Sequence, residues 1–266
     1  MNDFAFIVTA YKQIDLVKQN IERIRFKYQS SLKDSPIIVV STSETPVGFE
    51  ELDKQYKNIN FIPYPNAPGS IDHKGMPSPD NSKAGGYVSW RHEFLPRRIL
   101  FSIQLAMQVS DFIGVKKIIH LHSDTYIHEN YEYKLLNHIK LLDDYMVLAD
   151  LALDEEASSP LPPLMHWQPE GLMLNLEKCK KCGYGFRFNT LYKGKSWFQT
   201  HNWGSLEAIL AQAAVKALTG KDILSKNDVI PQEYYDNVYF KDKRTHHGMF
   251  PTGLVNIPGG QPDAIR

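Results

Sequence analysis

The chain has 266 residues, 42% hydrophobic and 23% charged, with 30 basic and 30 acidic side chains. That length suits one large α/β domain or two small ones. The net charge of +0 argues against the broad basic surface of a nucleic-acid or acidic-membrane binder, and the apolar runs fall far short of the ~20 residues a membrane span needs.

Met1-Asn2-Asp3 shows neither the basic segment nor the long apolar core of a signal peptide, so a cytoplasmic location is the expectation. Cys179 and Cys182 form a lone C-x-x-C. A zinc site needs two further ligands, and no second such pair exists, so reduced structural thiols are expected.

Phe4 to Ala10 (F-A-F-I-V-T-A) reads as a buried strand. Ile14, Val17, Ile21 and Ile24 follow at helical spacing, with Asp15 near the helix start. Pro36 opens a second buried strand, Ile37 to Val40, which ends in Ser41-Thr42-Ser43-Glu44, and Phe61-Ile62 is a weaker third. This alternation predicts a parallel sheet with helices on its faces. Residues 63–94 are rich in Pro, Gly, Ser, Asn and Asp without a period, which predicts a long loop. It leads through Gly85-Gly86-Tyr87-Val88-Ser89-Trp90-Arg91 to a helix from about Leu95 to Val109, striped by Ile99, Leu100, Ile103, Ala106 and Met107. Gly114 stops the turn that follows.

Lys116 to Ile127, K-K-I-I-H-L-H-S-D-T-Y-I, comes next. Ile118, Ile119, Leu121 and Ile127 bracket a polar knot, His122-Ser123-Asp124. A carboxylate at the end of a buried strand is costly unless a cation or hydrogen bonds compensate it. Open α/β sheets bind ligands just outside such strand ends. The knot is therefore a candidate metal and phosphate site.

Met146 to Leu151 reads as another apolar strand, Pro160 to Pro163 as a loop, and Gly171 to Leu176 as a strand. Asn175 to Gly183 looks like a short helix stopped by glycine. Asn202-Trp-Gly-Ser205 leads into a helix from Leu206 to about Leu218, closed by Gly220, and the tail from Tyr235 carries Arg244-Thr-His-His-Gly-Met-Phe250. With no repeat, low-complexity segment or linker, one domain is expected.

In this order the elements resemble a GT-A-fold glycosyltransferase of the family 2 kind. The residues that carry the likeness are F-A-F-I-V-T-A-Y, the strand ending in S-T-S-E, the apolar strand ending in H-S-D, the W-G-S-L-E helix start and a late histidine. The resemblance implies a GT-A (Rossmann-like) α/β fold, with a mostly parallel central sheet flanked by helices. It implies a single domain over residues 1–266, in which 1–130 bind a nucleotide-sugar and 131–266 bind the acceptor. The family usually carries D-x-D at the strand end. Here His122 holds the first position and Asp124 the second.

By that resemblance Asp124 is a direct ligand of Mn²⁺ or Mg²⁺, with His122 and a C-terminal histidine as further ligands. His247 is favoured over His246 because Gly248 follows it. Oxygen donors suit these hard cations, and Mn²⁺ tolerates an imidazole. Glu207, in the first turn of the 206–218 helix, is the candidate catalytic base, with Asp150 and Asp228 as weaker alternatives. Helix-dipole stabilisation alone also accounts for a glutamate there. Thr9, Ala10, Tyr11 and Glu44 end the first two strands, where the family receives base and ribose. His122, Ser123 and Asp124 complete the donor contacts. Arg91, Arg97 or Arg98 would pair with diphosphate, and His166, Trp167 and Gly171 would line the acceptor side.

The expected activity is sugar transfer from a UDP- or GDP-linked donor to a glycan or glycolipid acceptor, inverting and metal-assisted, as in polysaccharide biosynthesis. A retaining transferase and a non-catalytic nucleotide- or carbohydrate-binding module remain open. A nucleotidyltransferase is opposed by Thr9-Ala-Tyr-Lys-Gln, which lacks a glycine-rich phosphate loop.

Overall fold

Strand β1 (Phe4–Ala10) is buried at every position, as an unbroken apolar run requires of a strand covered on both faces. It pairs in parallel with β2 (Ile37–Ser41) on one side and β4 (Lys117–His122) on the other. The computed structural model describes residues 3–43, 45–65, 84–152, 161–186, 206–223, 225–244 and 254–256. For residues 84–97, 207, 243, 244 and 254–256 it describes the backbone alone. Among these residues β3 (Ile59–Pro63), β6 (Val147–Ala152), β7 (Met173–Asn175) and β8 (Val238–Arg244) complete a seven-stranded sheet, order β3-β2-β1-β4-β7-β6-β8. Within this sheet, among the described residues, only β7 runs antiparallel to its neighbours. The expected mostly parallel α/β sheet is the fold, and one sheet joins strands from both halves of the chain. A two-stranded sheet pairs β5 (Thr125–Ile127) with β9 (Leu254–Asn256).

Helices cover both faces because strand residues alternate between them. On one face α3 (Ala84–Phe112) and α6 (Leu206–Thr219) pack Leu100, Ile103, Met107 and Ile209 over Ile7, Val40 and Ile118. On the other, α1 (Ile14–Lys27) and α4 (Glu132–Leu141) pack Val17, Ile21 and Leu135 over Phe6, Val39 and Leu121. Shorter helices are α2 (Leu52–Gln55), α5 (Leu176–Cys182) and α7 (Gln232–Asn237).

The structure departs from the sequence reading in four places. Helix α3 begins at Ala84, so residues 84–94 are helical where a loop was expected. Gly85 and Gly86 each cost about 1 kcal/mol of helix propensity and Pro96 about 3, which is why the sequence alone reads as a loop there. The run from Lys116 to Ile127 is two strands, because Ser123-Asp124 turn between β4 and β5. The expected strand at 171–176 is shortened to Met173–Asn175, because Asn175 caps α5 by accepting from the Lys178 N–H. The tail forms a further helix and strand, α7 and β8. Among the described residues no helix is long and apolar enough to cross a membrane.

Candidate active site

The chain leaves β1 toward β2 and β3, then returns through α3 to β4 on the other side of β1. Strand order thus reverses between β1 and β4, and their carboxyl ends bound a crevice, the place where open α/β sheets take ligands. A cavity of about 170 Å³ opens there. Thr9, Ala10 and Tyr11 line it from β1, and His122, Ser123 and Asp124 from β4. Thr42 joins them from the end of β2, and Arg98 from α3.

Alternation along β4 puts His120 and His122 on the α3 side, together with Thr9, which is paired in register with His122. His120 is wholly buried. Its Nδ1 lies 2.7 Å from the Pro169 carbonyl. A carbonyl only accepts, so Nδ1 carries the proton. Burial, helped by the charge of His122, lowers the His120 pKa to about 3. The ring is therefore neutral, and Nε2 accepts from the Thr9 hydroxyl at 2.9 Å.

His122 is held by a residue that the sequence reading missed. Its Nδ1 stands 2.9 Å from Glu170 Oε1. Burial pushes the Glu170 pKa up, but the charge of His122 and the hydrogen bond to it prevail and hold the carboxyl at about 2. Asp124 goes the other way. Burial raises its pKa, His122 opposes the rise, and Glu170 adds to it.

The turn that presents Asp124 is well tied. His122 N donates to Thr125 Oγ1 at 2.9 Å, Ser123 N to the Thr9 carbonyl at 3.0 Å, and Asn20 Nδ2 to the Ser123 carbonyl at 2.9 Å. Ser123 Oγ donates to Gln13 Oε1 at 3.2 Å. Arg98 lies over the Tyr11 ring, 4.7 Å from its centroid. Burial lowers the Arg98 pKa and Tyr11 opposes the fall. A guanidinium stays charged and matches phosphate oxygens.

Six of the expected donor contacts thus meet in one cleft: Thr9, Ala10, Tyr11, His122, Ser123 and Asp124. Glu44 and His247 lie outside the described residues. So do the side chains of Arg91, Arg97 and Glu207, although Glu207 is the second residue of α6. Trp167 does not line a surface. It is 0% exposed, and its Nε1 donates to the Tyr234 hydroxyl at 2.9 Å, so its ring is core. His166 is buried as well. Asp150 is buried and ion-paired with Lys241 at 3.2 Å. Asp228 accepts from the Ser225 N–H as a turn cap. Both cysteines are free thiols whose pKa values burial raises, consistent with a structural role.

Among the described residues no three His, Cys, Asp or Glu side chains converge as a metal cage. The residues present nevertheless fit Mn²⁺ or Mg²⁺ held partly by substrate. Mg²⁺ takes one or two carboxylates plus phosphates, and Asp124 supplies one carboxylate. A ligating histidine commonly gives its other ring nitrogen to a carboxylate, as His122 Nδ1 does to Glu170.

No family model matches the chain, and no curated protein does. Solved structures match at low identity. Mouse xyloside xylosyltransferase 1 in its apo form is 12% identical over 90% of this chain and 85% of that one, with a TM-score of 0.42. A putative nucleotide-diphospho-sugar transferase from Desulfovibrio desulfuricans is 11% identical over 92% and 82%, at 0.43. S. aureus TarS 1–349 in complex with UDP-GlcNAc is 12% identical over 95% of this chain, at 0.46, and this chain spans 60% of that one. In another match to TarS 1–349 it spans 50%. Identities this low and TM-scores under 0.5 leave function to be argued from the chain's own residues.

Proposed function

We propose that the protein is a glycosyltransferase that moves a sugar from a UDP- or GDP-linked donor to a glycan or glycolipid acceptor. One observation carries the reading: Asp124 and the Glu170-bound His122 share a cleft with Arg98 where strand order reverses between β1 and β4. That is a place to hold a diphosphate. Residues 1–130 would bind the donor and 131–266 the acceptor. Asp124, His122 and His247 would hold Mn²⁺ or Mg²⁺, which as a Lewis acid would neutralise charge developing on the leaving diphosphate.

The chemistry asked of the chain is a displacement at the anomeric carbon. An acceptor hydroxyl oxygen bonds to that carbon as its bond to the diphosphate oxygen breaks, and the electron pair leaves on the diphosphate. Glu207 would take the hydroxyl proton, a role that typically contributes ~10²–10⁴ in rate. Arg98, which lies over the Tyr11 ring, would pair with the phosphates. A single base implies inversion.

His122 in place of a carboxylate favours a second reading, a non-catalytic nucleotide-binding module on the same fold. Incubation with UDP-, GDP- and CDP-sugars plus Mn²⁺ separates the two through slow donor hydrolysis. Turnover that Asp124→Ala abolishes and Glu207→Gln slows ~10²-fold or more is the expected result. Binding without turnover, equal in wild type and Glu207→Gln, would leave only the module. No nucleotide binding at all would end both readings.

A further inference from the structure

Glu170 reaches His122 from a short strap, Pro169-Glu170-Gly171, that runs into β7. The strap is fastened to β4 at two points. His120 Nδ1 donates to the Pro169 carbonyl at 2.7 Å, and Gly171 N donates to the His120 carbonyl at 2.7 Å. Gly171 has φ +76°, a left-handed backbone that favours glycine, so the bend is built into the sequence. A third fastening comes from the far edge of the sheet. The Lys241 ammonium, on β8, donates to the Gly171 carbonyl. Lys241 is also 3.2 Å from the Asp150 carboxylate of β6, and the two side chains are 3% and 0% exposed.

A fully buried ion pair is poor evidence for stability, because desolvation of both charges can exceed their attraction. Well-packed apolar side chains could fill the same space. What this pair adds is direction. It spans the register shift between Ala149 and Asp150, where β8 has one residue more than β6, and it points a donor at the carbonyl beside Glu170.

We propose that Lys241 and Glu170 are positioning residues that form one brace. The buried Asp150–Lys241 pair holds Gly171, the strap holds Glu170, and Glu170 fixes the His122 ring with its proton on Nδ1. The protonation of the other ring nitrogen, the buried Nε2, is then set by contacts that begin at the far edge of the sheet. The role of that nitrogen toward a diphosphate or its cation rests on the glycosyltransferase reading. The brace itself does not.

The test uses the full chain labelled with ¹⁵N-histidine, with UDP and Mg²⁺ as the probe. The variants are Glu170→Gln, Lys241→Met and the paired Lys241→Met/Asp150→Leu, which leaves no buried charge unpartnered. In wild type the His122 ring signals should report a protonated Nδ1 hydrogen-bonded to a carboxylate. Glu170→Gln should shift that Nδ1 signal and weaken UDP–Mg²⁺ binding by about 10–100-fold, as is typical when a supporting group of a ligating histidine is lost. The paired variant should shift the same signal and weaken binding in the same direction, with circular dichroism unchanged. A folded paired variant with the wild-type Nδ1 signal would overturn the brace, as would an unaltered signal in Glu170→Gln. If the Nδ1 signals move as stated but wild type binds no UDP, the brace stands and the glycosyltransferase reading falls.

Discussion

At the scale of single residues, the strongest constraint is the hydrogen-bond direction around His120. The Pro169 carbonyl forces the proton onto Nδ1, which forces Nε2 to accept and Thr9 to donate. Thr9→Val keeps the shape and removes only the donor, so a buried imidazole nitrogen loses its partner. Leaving a buried acceptor unsatisfied costs about 1–3 kcal/mol. The unfolding free energy from urea denaturation should fall by that amount, as a lower midpoint at an unchanged m-value, and an unmoved midpoint would refute the Thr9–His120 hydrogen bond. His122, Ser123 and Asp124 were legible in the sequence because three polar side chains end an apolar run, at the edge where a buried strand meets solvent or a ligand. Glu170 was not. Its neighbours Pro169 and Gly171 announce a turn, but its partner lies on a strand that only the antiparallel return of β7 brings alongside.

At the scale of elements, legibility followed the strength of the local pattern. Strands β1, β2, β4 and β6 are mostly apolar and their bounds lie within a residue or two of the expected ones, apart from the β4–β5 break. Strand β8, Val-Tyr-Phe-Lys-Asp-Lys-Arg, occupies a sheet edge and mixes charge with apolar residues, so no run marks it. The first turns of α3 were hidden by two glycines. The start of α5 was legible through its cap, and the cap has a second task. Asn175 Oδ1 accepts from Lys178 N at 3.1 Å, while Nδ2 donates to the Leu142 carbonyl at 2.7 Å. Asn175→Ala should therefore cost more than a typical cap loss of about 1 kcal/mol, since it also removes a donor to the loop after α4. A loss of about 2–3 kcal/mol in chemical denaturation is expected from the two effects together. A loss below about 1 kcal/mol would show that the Leu142 contact contributes nothing.

At the scale of the whole molecule, two apolar layers lie on the two faces of one sheet, and charge placed beneath a covering helix links stability to pH. His138 is such a group, on α4. Burial, then the charges of Lys241 and Lys134, lowers its pKa from 6.5 to about 4. Burial brings Lys241 itself down to about 7, so its charge grows as pH falls into that range. Between pH 6.5 and 4 the unfolded chain binds a proton at this position that the folded chain does not. Stability must then fall as pH falls, because the slope of unfolding free energy with pH has the sign of the excess protons bound by the unfolded state. Above pH 6.5 both states are neutral at this site, and below pH 4 both are charged, so its contribution to the slope vanishes at either end. His138→Gln removes the titration and keeps a polar side chain. Thermal midpoints measured from about pH 7 to about pH 4 should decline more steeply for wild type than for His138→Gln, with the difference growing through the window. Parallel curves would mean that α4 lets solvent reach the imidazole and that the lysine charges are screened from it.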